Sequence, residues 1–320
     1  MSRSLIVLPD ETAKPILDAI DAARESLRIK MFEFSDPSVM KAVTGAHQRG
    51  VNVRIMLNPA RRSGEAENEE TRKQLADAGI EVIDSNPAFD LTHEKSMVVD
   101  DHTAWIGSVN WEPENFTSTR DYSVMTTQAE EVAEVIEGFD ADWSRTTFTP
   151  REHSNLIWCP GGREPIARFI DGAKHSLYVQ NERYHDAIIV EHLVRAKLRG
   201  VKVHVMARPS QSMRPDKFVE GIGDLRIMQD VGIGIRKVRR LKLHAKVLLA
   251  DKARAIVGSI NFSPGSFDTR RELAIRVEDE EVVDRLLKVL RKDWKNGHPF
   301  DLSETAVHKE MKKFAGRTTS

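Results

Sequence analysis

The stretch LTHEKSMVVDD, Leu91 to Asp101, has a counterpart about 150 residues further on, KLHAKVLLADK, Lys242 to Lys252. Each sets a lysine two residues after a histidine and an aspartate five residues after that lysine. The likeness extends in both directions. LIVLP (Leu5 to Pro9) matches LIWCP (Leu156 to Pro160) at an offset of 151, and RGVNVRIMLNP from Arg49 matches RGVKVHVMARP from Arg199 at an offset of 150. GSVN from Gly107 matches GSIN from Gly258, Asp121 matches Glu272, and the DW pair at Asp142 matches the pair at Asp293, all at 151. Near-constant offsets over about 140 residues mark an internal duplication, so the chain is two copies of one unit.

The unit reads as α/β. A helical stretch near residues 11–25 precedes the apolar strand SLRIKMFEF. A second amphipathic helix, PSVMKAVTGAHQRG, stops at Gly50, and the β-branched strand VNVRIML follows. The charged stretch GEAENEETRKQLADAG is expected to be helical and IEVID a short strand. HEKSMVVDDHTAWIG has the form of a hairpin around a polar DDH turn, and KVLLADKARAIVG repeats that plan. Each copy closes with a helix, AEEVAEVIEGFDADW and DEEVVDRLLKVLRKDW. The alternation predicts layered α/β units with mixed strand directions. The expected division is a first repeat over 1–150, a second over 151–300 and a basic tail over 301–320, either a terminal helix or a frayed end. The glycines of GIGDLRIMQDVGIGIRK form no phosphate-loop pattern and suggest turns.

Composition narrows the class. With 40% apolar and 30% charged residues, the 320-residue chain has the makeup of a soluble globular protein. No run of about 18 apolar residues is present, so no transmembrane segment is expected. The start has only four apolar residues before Pro9, too few for a signal-peptide core, and the default expectation is cytoplasmic residence. One cysteine, Cys159, excludes an internal disulfide framework and is expected at a strand end. Residues 1–150 hold 15 Lys and Arg against 27 Asp and Glu, and residues 151–320 hold 33 against 22. An acidic half joined to a basic half implies lobes that attract each other, or a basic face turned to an anionic substrate.

Side chains alternate faces along a strand, so a strand reading of HEKSMVVD sets His93 and Lys95 on one face and Asp100 on the other. The same holds for His244, Lys246 and Asp251. Asp100 and Asp251, where the hairpins turn, are therefore structural braces. Ser108 shares a face with Asn110, and Ser259 with Asn261. Each copy thus offers an imidazole, a fixed cation and an amide. Lysine and asparagine can donate to the non-bridging oxygens of a phosphodiester, and histidine can act as nucleophile or general acid. Displacing an alcohol from phosphorus requires attack and leaving-group protonation from opposite sides. Two hairpins meeting about a pseudo-twofold axis would supply both, which accounts for the spacing occurring twice.

H-x-K-x(4)-D followed by G-S-x-N, present twice, resembles the phospholipase D superfamily over roughly residues 5–295. The resemblance implies a duplicated α-β-α sandwich of two pseudo-twofold related lobes with mixed central sheets, and a site at their interface. It implies a covalent phosphohistidine intermediate and no cofactor. His93 and His244 become nucleophile and general acid, with His93 favoured as nucleophile. Lys95, Lys246, Asn110 and Asn261 become the phosphate clamp, and Asp121 and Glu272 orient the imidazoles. No metal is expected, since adjacent lysines repel a cation.

The diester is less legible. Phospholipid hydrolysis or phosphatidyl transfer is favoured, because the segment after the second motif resembles bacterial phospholipase D and cardiolipin-synthase-like members. The partners implied are a phospholipid or other phosphodiester and a membrane surface touched peripherally. A metal-independent nuclease is the alternative, suggested by Arg236, Lys237, Arg239, Arg240 and Lys242 leading into His244. A catalytically silent phosphate- or phospholipid-binding module is a second alternative. Trp111, Phe116, Phe262 and Phe267 are candidates for the pocket rim, with half or more of them packed beneath it. Ser210 to Gly223 is a candidate entrance loop.

Overall fold

The computed structural model describes residues 2–60, 66, 68–208, 215–238 and 240–317, without the side chains of 215–220 and 314–317. The first half runs β1 (Arg3–Leu8), α1 (Lys14–Ala22), β2 (Ser26–Met31), α2 (Pro37–Gln48), β3 (Asn52–Leu57), α3 (Glu69–Asp77), β4 (Glu81–Asp84), β5 (Lys95–Val99), β6 (Thr103–Gly107), α4 (Pro113–Thr117), β7 (Thr119–Thr126) and α5 (Ala129–Ser144). The second runs β8 (Leu156–Cys159), α6 (Arg163–Asp171), β9 (Ser176–Asn181), α7 (Ala187–Leu198), β10 (Lys202–Ala207), α8 (Pro215–Asp230), β11 (Gly234–Lys237), β12 (Lys242–Leu243), β13 (Lys246–Ala250), β14 (Arg254–Gly258), α9 (Pro264–Asp268), β15 (Glu272–Val277) and α10 (Glu280–Asn296). Beyond them lie β16 (His298–Pro299) and α11 (Glu304–Arg317).

The first sheet has the order β1-β7-β6-β5-β2-β3-β4, and the second repeats it as β8-β15-β14-β13-β9-β10-β11, with β16 added at the edge. In both, the strands joined by helical crossovers are parallel and the hairpin strands antiparallel. Local chemistry fixes the crossovers. Asp36 caps α2 by accepting from the amides of Ser38 and Val39, with Pro37 at the first helical position. Gly50 and its counterpart Gly200 take φ of +90° and +91° just past the helix ends.

Alternation along the strands sorts side chains into three cores. In β6, Trp105 faces α1 and α2, while Ala104 and Ile106 face the other half. In β14, Ile256 faces α6 and α7, while Ala255 and Val257 face the first half. The inward residues of both sheets, with α5 and α10, make one shared core that contains Leu5, Tyr122, Trp158, Leu273 and Leu286. The halves are therefore joined by apolar burial, the dominant favourable term in association.

Charge locks the seam in crossed pairs. Arg120 holds Asp293 at 2.9 and 3.1 Å, and Arg271 holds Asp142 at 2.9 and 2.7 Å. These aspartates are those of the repeated DW pairs, so the repeat marks an interface contact as well as ancestry. Ion pairs cross the seam in both directions: Arg271–Asp142 and Arg285–Glu11 join a cation of the second half to an acid of the first, and Arg120–Asp293 and Arg3–Asp279 run the other way.

Two expectations need correction. The histidines lie outside the hairpin strands, which begin at Lys95 and Lys246. Residues 221–230 are helical, within α8, although their glycines suggested turns. The charged stretch before β4 is helical from Glu69; residues 61–65 and 67 lie outside the described residues. The tail forms α11, with Val307 packed on the second half's core. Cys159 is buried at the end of β8, as expected.

Candidate active site

The hairpins that carry the site lysines are braced at their turns. Asp100 and Asp101 take φ of +51° and +56°, and Asp251 and Lys252 take +54° and +60°. Each left-handed pair makes the tight part of a three-residue loop, closed by the His102 amide on the Val99 carbonyl oxygen and the Ala253 amide on that of Ala250. The Asp100 carboxylate accepts from the amides of Arg24, Glu25 and Ser26, and Asp251 from those of Lys174, His175 and Ser176. Both are braces, as the strand alternation suggested. At the far end of each hairpin the glycine of G-S-x-N permits close strand approach. A Cβ on Gly107 would stand 2.6 Å from the Tyr122 carbonyl oxygen, and one on Gly258 would stand 2.5 Å from that of Leu273.

Each histidine is held by the opposite half. The His93 amide donates to the carbonyl oxygen of Arg271 at 2.8 Å, and that of His244 to Arg120 at 3.2 Å. β12, just before His244, pairs with the start of β7. The side chains repeat the exchange: His93 Nδ1 meets Glu272 Oε2 at 2.9 Å, and His244 Nδ1 meets Asp121 Oδ1 at 2.8 Å. Ser108 steadies Asp121 with a hydrogen bond of 2.6 Å. With Nδ1 committed to a carboxylate, each imidazole keeps Nε2 for chemistry.

The lysines and asparagines complete the set. In each half the ammonium donates to its own histidine's carbonyl oxygen at 2.5 Å, Lys95 to His93 and Lys246 to His244. Asn110 donates to Glu33 at 2.9 Å and Glu112 at 3.2 Å. The buried amide oxygens of Asn110 and Asn261 both make no hydrogen bond, an orphaned position repeated in the two copies. Burial, then Lys95, Lys246, Arg270 and His244, hold His93 well below its ordinary range, so positive groups of both halves bear on it. Burial, and Lys246 next, push Lys95 down to about 7.

The two halves then part. Burial pushes Glu272 up, against Lys95. Burial pushes Asp121 the same way, yet His244 and Lys246 hold it below its usual value. Around His93 stands an aromatic ring: Phe32 meets the imidazole edge-on with centroids 4.8 Å apart and lies 4.7 Å from Lys95 Nζ. Around His244 stands a carboxylate: Glu182 Oε2 lies 3.9 Å from Nε2 and 3.3 Å from Lys246 Nζ. Glu182 and its partner Arg208 escaped the sequence reading, although offset-150 alignment sets Glu182 on Phe32 and Arg208 on Asn58.

The predicted rim is corrected. Trp111, Phe116, Phe262 and Phe267 are all buried core residues, with Trp111 against Phe34 and Phe262 against Tyr184. The basic run is largely engaged: Arg236 packs on Trp294, Lys237 on Phe300, and Lys242 pairs with Glu114. Arg239 lies outside the described residues, as does the entrance segment up to Arg214.

Two sheets of the same strand order, with a histidine pair gripped across their seam, define a duplicated two-histidine fold. The family described as "Cardiolipin synthase, PLD-like domain" matches twice, over residues 16–143 and 166–294, and the chain belongs to it. It is similar to human mitochondrial cardiolipin hydrolase, 33% identical over 159 residues, which is 48% of this chain and 60% of that protein. It is also similar to polyphosphate kinase of Vibrio parahaemolyticus, 25% identical over 82% of this chain and 39% of that one. The chain spans less than two thirds of the length of the curated relatives it matches. The crystal structure of phosphatidylserine synthase from Haemophilus influenzae superposes over 99% of this chain and 94% of that one, with a TM-score of 0.78 at 12% identity. At that identity the likeness is one of fold.

Proposed function

We propose that the protein is a phosphodiesterase that acts through a covalent phosphohistidine on a phospholipid, passing the phosphatidyl group to water or to a small alcohol. The observation that carries this reading is the crossed exchange of imidazole and carboxylate, His93 with Glu272 and His244 with Asp121. It leaves two Nε2 atoms at the seam beside two ammonium groups, the set that in-line displacement at phosphorus requires. The ammonium groups of Lys95 and Lys246 hold the non-bridging oxygens and stabilise the charge building on them, and Asn110 and Asn261 join the clamp by turning an amide N–H toward it. One histidine attacks phosphorus, and the other protonates the departing alcohol and then activates the acceptor.

The phospholipid reading draws on the family description and on the names of relatives, a cardiolipin hydrolase and a phosphatidylserine synthase. It draws also on the basic run before His244, whose Arg236, Lys237 and Lys242 are engaged within the protein instead of forming a stripe for a nucleic-acid backbone. Among the described residues no helix is long and apolar enough to cross a membrane, so the proposal takes the lipid at a surface. The test is incubation, in EDTA, with phosphatidylglycerol or phosphatidylcholine liposomes and with single- and double-stranded DNA. Headgroup release is expected, with an alcohol adduct when ethanol or glycerol is added. DNA fragments without headgroup release would replace the lipid by a nucleic acid, and binding without turnover would reduce the protein to a phospholipid-binding module.

A further inference from the structure

The repeated motif gives the two histidines the same spacing, but their surroundings differ. Met31 stands opposite Lys95 where β2 meets β5, and Asn181 stands opposite Lys246 where β9 meets β13. The next residue is Phe32 in the first half and Glu182 in the second. Glu182 is set by two cations. One of its carboxylate oxygens receives the Arg208 guanidinium, and the other faces Lys246 Nζ at 3.3 Å and His244 Nε2 at 3.9 Å. Arg208 directly follows β10, where Asn58 follows β3 in the first half. The acid and the cation that holds it are thus both peculiar to the second half.

We propose that Glu182, anchored by Arg208, is a positioning residue that makes His244 the proton donor and thereby leaves His93 to form the bond to phosphorus. Asp121 holds Nδ1 of His244 at 2.8 Å and Glu182 stands 3.9 Å from its Nε2, so the ring is kept between two carboxylates with Nε2 steered toward a departing oxygen. His93 has Glu272 at Nδ1 and the Phe32 ring edge-on beside it, and burial with the surrounding cations keeps it neutral for attack. The directions already described for Glu272 and Asp121 agree with that division. Arg208 and Lys246 balance the Glu182 charge, so it does not repel an incoming diester and has little hold on a cationic headgroup.

This inference rests on the phosphodiesterase reading. In the first step His93 Nε2 bonds to phosphorus, the bond from phosphorus to the leaving alcohol breaks, and the Nε2 proton of His244 passes to that oxygen. In the second, a water oxygen bonds to phosphorus, its proton passes to His244 Nε2, and the phosphorus–nitrogen bond breaks.

The experiment compares two substrates with one phosphatidyl group, phosphatidylglycerol and phosphatidyl-p-nitrophenol. The second leaves as a stabilised phenolate that needs no proton. The native protein should hydrolyse both. Glu182→Gln, which keeps size and shape, should lose about 100-fold in kcat on the glycerol ester and less than about threefold on the nitrophenyl ester. Arg208→Gln should show the same split in weaker form. Equal losses on both substrates would overturn the assignment, since a merely structural role would not distinguish leaving groups. In the native protein, quenching during turnover and peptide mapping should find the phosphoryl group on the His93 peptide; finding it on the His244 peptide would also overturn it. Native protein silent on both esters would instead overturn the phosphodiesterase reading, and this inference with it.

Discussion

His93 stands beside the ring of Phe32, and His244 beside the carboxylate of Glu182, though strand order, hairpin, brace and crossed carboxylate are the same around both. The contrast separates what duplication preserves from what it allows to change. Backbone geometry is tied to the shared core and is kept. A side chain at the mouth of one strand is not, and exchanging it alters the charge beside a working nitrogen without moving the nitrogen. A symmetric scaffold can in this way carry an asymmetric reaction.

The largest effect tests whether the halves share one site. His93→Ala and His244→Ala should each lower turnover of a phospholipid by at least about 10⁴-fold, since neither attack nor protonation can be done twice by one ring. The melting transitions should be little changed. On an aryl ester the variants should differ: His244→Ala still forms the covalent adduct and His93→Ala does not. Robust activity of either variant on phosphatidylglycerol would sink the shared-site scheme.

Next comes the seam. Removing one partner of a buried ion pair destabilises by about 3–5 kcal/mol, because a charge is left in a dry environment. The two crossed pairs should not be equal. Asp142 also receives Lys30 at 2.7 Å, whereas Asp293 also receives the neutral amide of Gln180 at 3.0 Å. Arg120→Met should therefore be more damaging than Arg271→Met in urea unfolding. The reverse order would mean that Lys30 does not compensate Asp142.

A smaller effect concerns the carboxylates. Asp121→Asn and Glu272→Gln keep shape but no longer favour the Nδ1 proton of the ring they hold, and each should lower kcat by about 100-fold. Because the exchange is crossed, Asp121→Asn should act through His244 and spare an aryl leaving group. Glu272→Gln, acting through His93, should slow both ester types alike. A measured loss confined to the histidine of the same half would refute the crossed pairing.

Much of this was legible in the sequence. The repeat offsets gave the number of units, and β-branched runs such as VNVRIML located strands, whose Val53, Ile55 and Leu57 pack into the first half's core. His93, Lys95 and Asn110, with their counterparts, stood out because polar groups recur at fixed spacing beside apolar runs. What stayed hidden is whatever crosses the seam. No spacing within one copy tells Asp121 that its partner is His244. Arg120 and Arg271 look like ordinary strand charges until Asp293 and Asp142 arrive from the other half. Glu182 was missed for a related reason: a duplication draws attention to positions that agree, and this one differs. The rim aromatics were misassigned because a large ring after a polar motif gives the same signal whether it faces a cleft or, as for Phe262, the core.

The smallest effect is one of pH, and it separates the two lysines. Lys95 is pushed down to about 7, whereas an ordinary lysine titrates near 10.4. Between those values the unfolded chain binds the proton that the folded chain has released, so by linkage this residue makes the fold more stable as pH rises through that window and contributes no gain below it. Anion binding should move the other way, since the ammonium is lost above about 7. Sulfate keeps its own charge over that range, so its affinity reports on the protein alone. It should weaken by about tenfold between about pH 6 and about pH 8.5, the order of one charge-assisted hydrogen bond. Lys95→Met should remove that component of the profile. Lys246→Met should keep that component but move it to higher pH, because the Lys246 charge is among the causes that push Lys95 down. Titration calorimetry of the three proteins against sulfate decides the matter: an unchanged slope in Lys95→Met would mean that the half with the aromatic neighbour keeps its cation after all.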